Sequence, residues 1–159
     1  MSKQRRFLGL GLAFAVVMTA GAESASAATY VASLLAPVGF NYSNAYGIGG
    51  SGIVGTTEAP FDESHPNHYS DAALWNATTN SLVSLNPGSD WHSSAFGASN
   101  DSQVGQGSGS AENDHALLWH GTAASFVDLN PAGFYTSEAY GVSGNNQVGG
   151  GGLLANLNG

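Results

Sequence analysis

Apolar and polar positions alternate along this chain in short runs, and the runs recur. Thr29–Leu35 alternates and is rich in β-formers, which predicts a strand. Pro37-Val38-Gly39 then turns the chain, and Asn44–Ile48 and Gly52–Thr56 predict two more strands. Glu58–Ser70, with two prolines, two histidines and three acids, predicts a loop. Beyond it, Ala72–Trp75, Ser81–Leu85, Ser94–Ala98 and Gln103–Gly107 predict strands, with turns at Asn76–Asn80, Asn86–Gly88 and Ser99–Ser102. After a Gly/Ser and acidic connector, Ser108–Asp114, the series repeats as Ala116–Trp119, Ser125–Leu129, Glu138–Val142 and Gln147–Gly150. Most of these runs are four or five residues long, and the 23 glycines leave few segments that could hold a helix.

The recurrence is close enough to be an internal repeat. Leu35–Gly55, Leu85–Gly105 and Leu129–Gly149 align without a gap. Pro37, Pro87 and Pro131 each lie nine residues before an aromatic, Tyr46, Phe96 and Tyr140, and each aromatic lies eight before a valine followed by glycine, Val54, Val104 and Val148. Trp75 and Trp119 are 44 apart, as are Phe96 and Tyr140. Tyr46 to Phe96 is 50, the extra six falling in the Glu58–Ser70 loop.

A repeat of this length with four short strands has the signature of a β-propeller blade. The predicted fold is therefore all-β: a propeller-like array of about three four-stranded repeats, 29–70, 71–114 and 115–152. Glycines after the aromatic and after the valine suit inner strands, where sheets converge and backbones come close. The first unit lacks a leading Trp strand, and a terminal strand at 153–157 would complete it and close the array. Three blades are few for a propeller, so a homodimer forming a six-bladed ring is the other expectation.

Charge and composition narrow the setting. Lys3, Arg5 and Arg6, the apolar run Phe7–Ala20 and the site Ala25-Ser26-Ala27 make residues 1–27 a predicted secretory signal peptide, leaving one β-repeat domain, 28–159, in a secreted, extracellular or periplasmic protein. The arginine pair leaves the export route, Sec or Tat, open. All three basic residues lie in that segment, so the remaining chain carries ten carboxylates, no Lys or Arg, and a net charge of −10. Such a surface cannot neutralise phosphates, which argues against nucleic acid and against anionic membranes after cleavage. There is no cysteine, which excludes disulfides, thiol catalysis and thiolate metal sites.

The string Asp114-His115-Ala116-Leu117-Leu118-Trp119-His120-Gly121 followed by Val127-Asp128-Leu129 resembles the bacterial extracellular HAF repeat. Ala45-Tyr46-Gly47-Ile48, Ser51–Gly55, Ala139-Tyr140-Gly141-Val142 and Asn146–Gly149 fit the remainder of its pattern. Leu117 replaces the usual Phe, and Asp71-Ala72-Ala73 replaces the His-led string in the middle unit. The resemblance covers nearly all of the chain after residue 27. It implies secretion and a propeller-like β architecture, and it implies no reaction.

Candidate chemistry is sparse. His65 and His68, with Asp62 and Glu63 just before them, offer imidazole and carboxylate donors for zinc; the competing reading is a solvated polar loop. The Asn100–Ser102 and Gly144–Asn146 turns could offer oxygens to calcium, but lack the spacing of known calcium loops and suit ordinary turns. His115 reads as a structural residue bonded to a connector. No G-x-S-x-G, H-E-x-x-H or phosphate loop is present. The leading expectation is a non-catalytic structural or ligand-binding surface module, in which Trp91, Tyr135 and Tyr42 stack on a glycan or another cell-envelope component. The alternative is a carbohydrate-active enzyme, of glycosidase or lyase type, using the loop carboxylates Glu58, Asp62 and Glu63.

Overall fold

The structure, a computed structural model, describes residues 35, 39–50, 52–59, 70–89, 91–109 and 113–153. These residues build ten strands and a single 3-10 turn, Ala123–Ser125. The strands are β1 (Tyr42–Gly49), β2 (Gly52–Glu58), β3 (Asp71–Asn76), β4 (Leu82–Ser84), β5 (His92–Ser99), β6 (Ser102–Ser108), β7 (His115–Trp119), β8 (Val127–Asp128), β9 (Thr136–Ser143) and β10 (Asn146–Gly152). They form three antiparallel sheets: β1-β2-β3-β4, β5-β6-β7-β8 and the two-stranded β9-β10. The fold is all-β, as expected, and none of the sheets closes on itself or on another.

Each inner hairpin, β1-β2, β5-β6 and β9-β10, is longer than the sequence suggested and carries a β-bulge in its middle. The register skips from Ala45 to Gly47, from Ala95 to Gly97, and at Val148/Gly149 opposite Ala139 and Gly141. The bulged residue is the repeated aromatic: Tyr46, Phe96 or Tyr140. A bulge leaves its extra residue unpaired and re-aims that side chain. The three rings accordingly stand in a ladder, with centroids 5.8 Å apart for Tyr46–Phe96 and 5.9 Å for Phe96–Tyr140.

The two glycines of the repeat have different causes. A Cβ on the glycine after the valine, Gly55, Gly105 or Gly149, would collide with the carbonyl of Asn44, Ser94 or Glu138 in its own hairpin, just before the bulge. The glycine after the aromatic serves the next sheet. A Cβ on Gly47 would lie 2.5 Å from the Phe96 carbonyl oxygen, and one on Gly97 2.7 Å from that of Tyr140. Convergence of sheets therefore explains one glycine of the pair, and bulge geometry the other.

Two cores fill the gaps between sheets. Val54, Ala72 and Leu85 of the first sheet and its end meet Ala95, Leu117 and Trp119 of the second, all fully buried, with Leu74 and Ala98 against them. Val104 and Ala116 of the second sheet then meet Ala139 of the third, flanked by Leu118, Leu129 and Val142. Burial of large aromatic and aliphatic side chains contributes roughly 1.5–3 kcal/mol each. Trp119 dominates the first interface, although its indole N–H, like that of Trp75, has no acceptor among the described residues.

The sheets are cut in a different phase from the sequence units. The Trp strand β3 pairs with β2, so the long connector before Asp71 lies within a sheet. The short Asn-Pro turn after β4 is what crosses to the next sheet. The first sheet thus has its four strands within Tyr42–Ser84 and needs no closing strand. Of the expected closing strand 153–157, Leu153 is exposed outside any strand and 154–157 lie outside the described residues, as do 29–34 of the expected first strand.

Candidate functional site

The short crossing is pinned by a hydrogen-bond clip that the repeat builds twice. After β4, Leu85 N–H returns to the Ala72 carbonyl at 2.8 Å, leaving Asn86 at the sheet edge. Asn86 Nδ2 donates to the carbonyls of Gly88 (3.0 Å) and Trp91 (3.2 Å), which holds the turn. Its Oδ1 accepts from Ser93 Oγ at 2.9 Å, and the same hydroxyl accepts from Ala72 N–H at 3.0 Å. Ser93 N–H reaches the Ser70 carbonyl at 2.8 Å. The second copy substitutes Leu129, Asn130, Ser137 and Ala116: Ser137 Oγ donates to Asn130 Oδ1 at 2.7 Å and accepts from Ala116 N–H at 2.9 Å. Ser93 and Ser137 are buried, so each clip satisfies polar groups that would otherwise be costly there.

This clip defines one rim of the array, where β1, β5 and β9 begin, and the three aromatics expected to bind a ligand all lie on it. Tyr42 opens β1 and is 64% exposed. Tyr135 precedes β9, donates its N–H to the Gly152 carbonyl at 2.7 Å, and is 44% exposed. Trp91 precedes β5 but is packed: it lies against the first core, its indole over Gly109 and its ring 5.5 Å from Phe126. Phe126 lies just before β8, an outer strand; among the described residues β9-β10 has no such strand. The structure thus puts the three aromatics on one rim without joining their rings into one platform.

The rim also carries the imidazole–carboxylate pairs. His92 Nε2 lies 2.7 Å from Asp114 Oδ1, and Gln106 Nε2 donates to the other Asp114 oxygen at 3.2 Å. His115 Nδ1 lies 2.8 Å from Asp128 Oδ2, with Asn130 Nδ2 3.2 Å from its Nε2. His115 thus bonds Asp128 of strand β8 and the clip residue Asn130, rather than a connector. His92 carried no sequence expectation, because its partner Asp114 is 22 residues away and only sheet pairing joins them. Ser108 Oγ is 3.0 Å from His92 Nε2 and 3.3 Å from Nδ1. A proton-relaying Ser–His–Asp set needs hydroxyl and carboxylate on opposite ring nitrogens. Here both lie closest to Nε2, and Ser108 is buried, so this trio is a structural network.

In the first clip the place of His115 is taken by Asp71, which accepts from Asn86 Nδ2 at 2.6 Å. Burial raises the Asp71 pKa above the ordinary value of 3.8, because desolvation penalises the charged form. Tyr140 donates its hydroxyl to Glu138; that hydrogen bond raises the phenol's pKa.

Of the expected metal ligands, Asp62, His65 and His68 lie outside the described residues, as does Glu63. Among the described residues no group of three His, Asp or Glu could hold a metal ion. Glu58, the other candidate carboxylate, closes β2 opposite Tyr42. The Asn100 and Gly144 turns lie at the opposite rim and adopt positive φ, 52° and 56°, as such turns require. A groove of about 270 Å³ beside Asn100, Asp101, Asn76 and His120 contains one carboxylate, Asp101.

A second groove, about 340 Å³, opens between the second and third sheets, over Leu129, Pro131, Phe134 and Val148. In the preceding gap Leu117 and Trp119 cover the equivalent of Leu129, which is Leu85.

Compared with family models, curated proteins and solved structures, the chain matches none of them.

Proposed function

We propose that this chain is a secreted, non-catalytic module of the HAF-repeat type, with propeller-like packing of its sheets, whose rim at the starts of β1, β5 and β9 binds a neutral glycan. The observation that carries this reading is a division of labour among the repeated residues. What recurs builds the hairpins and joins the sheets: the bulged aromatics stack in a ladder whose end members Tyr46 and Tyr140 are half exposed, the two glycines allow close backbone approach, and the Asn–Ser clip pins the crossing. What varies between units stays at the rim, where Tyr42 and Tyr135 remain open to solvent. An exposed aromatic presents a flat apolar face with a polar tip, which suits the apolar face of a sugar ring. With ten carboxylates and no Lys or Arg after residue 27, the surface disfavours anionic ligands, so the ligand is a neutral saccharide of the cell envelope or its surroundings.

The test is a glycan array probed with the exported protein and with a Tyr42→Ala/Tyr135→Ala variant. Binding to neutral glycans that the double variant loses is the expected result. No binding by the unaltered protein at high concentration would leave a purely structural surface repeat. Turnover of a polysaccharide, abolished by Glu58→Gln, would replace the binding reading with an enzymatic one.

A further inference from the structure

The step from one sheet to the next is the same at both internal interfaces, and its two halves are left open at the two ends of the array. The leading half is a valine on the second strand of a hairpin. Val54 and Val104 are each 0% exposed because the next sheet covers them, whereas Val148, their equivalent on β10, is 66% exposed. The trailing half is an alanine and a small aliphatic on the first strand. Ala95 and Ala98 pack on the first sheet, and Ala139 and Val142 on the second. Their equivalents on β1 are Ala45 and Ile48; both are exposed, Ile48 at 71%.

A second observation points the same way. Gly47 and Gly97 are glycines because the carbonyl of the next sheet's aromatic, Phe96 or Tyr140, enters where a Cβ would stand. Gly141 is the third of this series. Among the described residues, the only atom near its Cβ position is in the Val148 side chain of its own hairpin, at 3.2 Å. The corresponding Val54 methyl lies beside Gly47 at the same 3.2 Å, so the slot has the same shape but no carbonyl in it. Gly141 is not at positive φ, so no turn accounts for it.

We propose that the outer face of β9-β10 receives β1 of a second copy of this chain, head to tail, with Ala45 and Ile48 of that copy over Val148 and its Tyr46 carbonyl in the Gly141 slot. The occupant is a second copy because the two open faces are the two halves of an interface the chain already makes twice, down to the aromatic ladder, which Tyr46 of the second copy would extend beyond Tyr140. Among the described residues the two faces do not meet within one chain: Ala45 and Val148 are both exposed. The contact is heterologous, with different surfaces on the two copies, so it either closes into a ring or propagates. It is independent of any ligand on the rim.

The chain has no cysteine, which makes the test specific. Ala45→Cys and Val148→Cys proteins, each recovered from cells expressing the full chain, are oxidised separately and as a mixture, then run on a non-reducing gel. Crosslinked dimer in the mixture, and little in either protein alone, is the expected result. No crosslink in the mixture, crosslinking by one variant alone to the same extent, or a double variant that links only within one chain would each overturn the proposal. Both positions are exposed, so neither change threatens folding. Gly141→Val gives a second readout: sedimentation should shift to the monomer with melting of the single chain preserved, and association unchanged in this variant would also overturn it.

Discussion

Val104 and Val148 occupy the same position in successive copies of one motif, yet one is sealed in a core and the other faces solvent. Among the described residues, the second sheet around Val104 has four strands and a neighbour on each side, whereas the third sheet around Val148 has two strands and a neighbour on one side. The local geometry is the same in both places: a bulge at the aromatic, a glycine opposite it, and a tight turn. The hairpin is therefore a self-contained local unit, and its burial is conferred from outside. In this fold an apolar repeat residue is a core residue only when the next sheet arrives.

That contrast can be broken hardest at the tryptophan. Trp119→Ala removes the largest side chain of the first interface and should destabilise the fold by about 3–5 kcal/mol, read from denaturant midpoints. Val148→Ala, at the open end, should fall within about 0.5 kcal/mol in the single chain. The glycines sharpen it next. Gly97→Ala drives a Cβ into the Tyr140 carbonyl and should cost about 1–3 kcal/mol; Gly141→Ala meets no neighbouring sheet and should leave thermal melting of the single chain nearly unchanged. The clip comes third. Ser93→Ala strips the Ala72 N–H and Asn86 Oδ1 of their shared partner in a buried place, an expected loss of about 1–3 kcal/mol. Ser43→Ala, at the equivalent place on the exposed β1, should have little effect on the same unfolding curve.

The smallest effect concerns pH. The Asp71 carboxyl is raised by burial in the folded state, so between 3.8 and its folded value the folded protein holds the extra proton and stability falls as pH rises. Asp71→Asn keeps an acceptor for Asn86 Nδ2 and removes that penalty. The variant should match the parent below the ordinary carboxylate value and exceed it at neutral pH, by less than about 1 kcal/mol because the group is only half-buried. Melting temperatures of both proteins across that range check the sign.

Much of this was legible in the residues. Alternation, glycine content and the aligned triplet of proline, aromatic and Val-Gly placed nearly every strand within a few positions. What misled was the inference from connector length. Long polar stretches look like boundaries, but those before Asp71 and His115 join strands of one sheet, while the seven residues after β4, 85–91, carry the chain to the next. Connector length does not reveal hydrogen-bond partners; Asn86 and Ser93, seven apart, decide the crossing. At the rim, Trp91 and Tyr135 look equivalent in sequence, but Trp91 packs against the first core and Phe126, which lies just before β8, while Tyr135 stays at the surface.

The sequence by itself determined the class of the fold, the strands and the bulged hairpin, because these depend on neighbours a few residues apart: alternation, an aromatic that cannot pair, a glycine that admits a carbonyl. Tertiary structure alone decided which strands share a sheet, which histidine meets which aspartate, and which copies of an apolar residue are buried. Those outcomes depend on pairings between segments that alternation within one segment does not reveal, and identical motifs acquire different environments according to whether another sheet stands beside them.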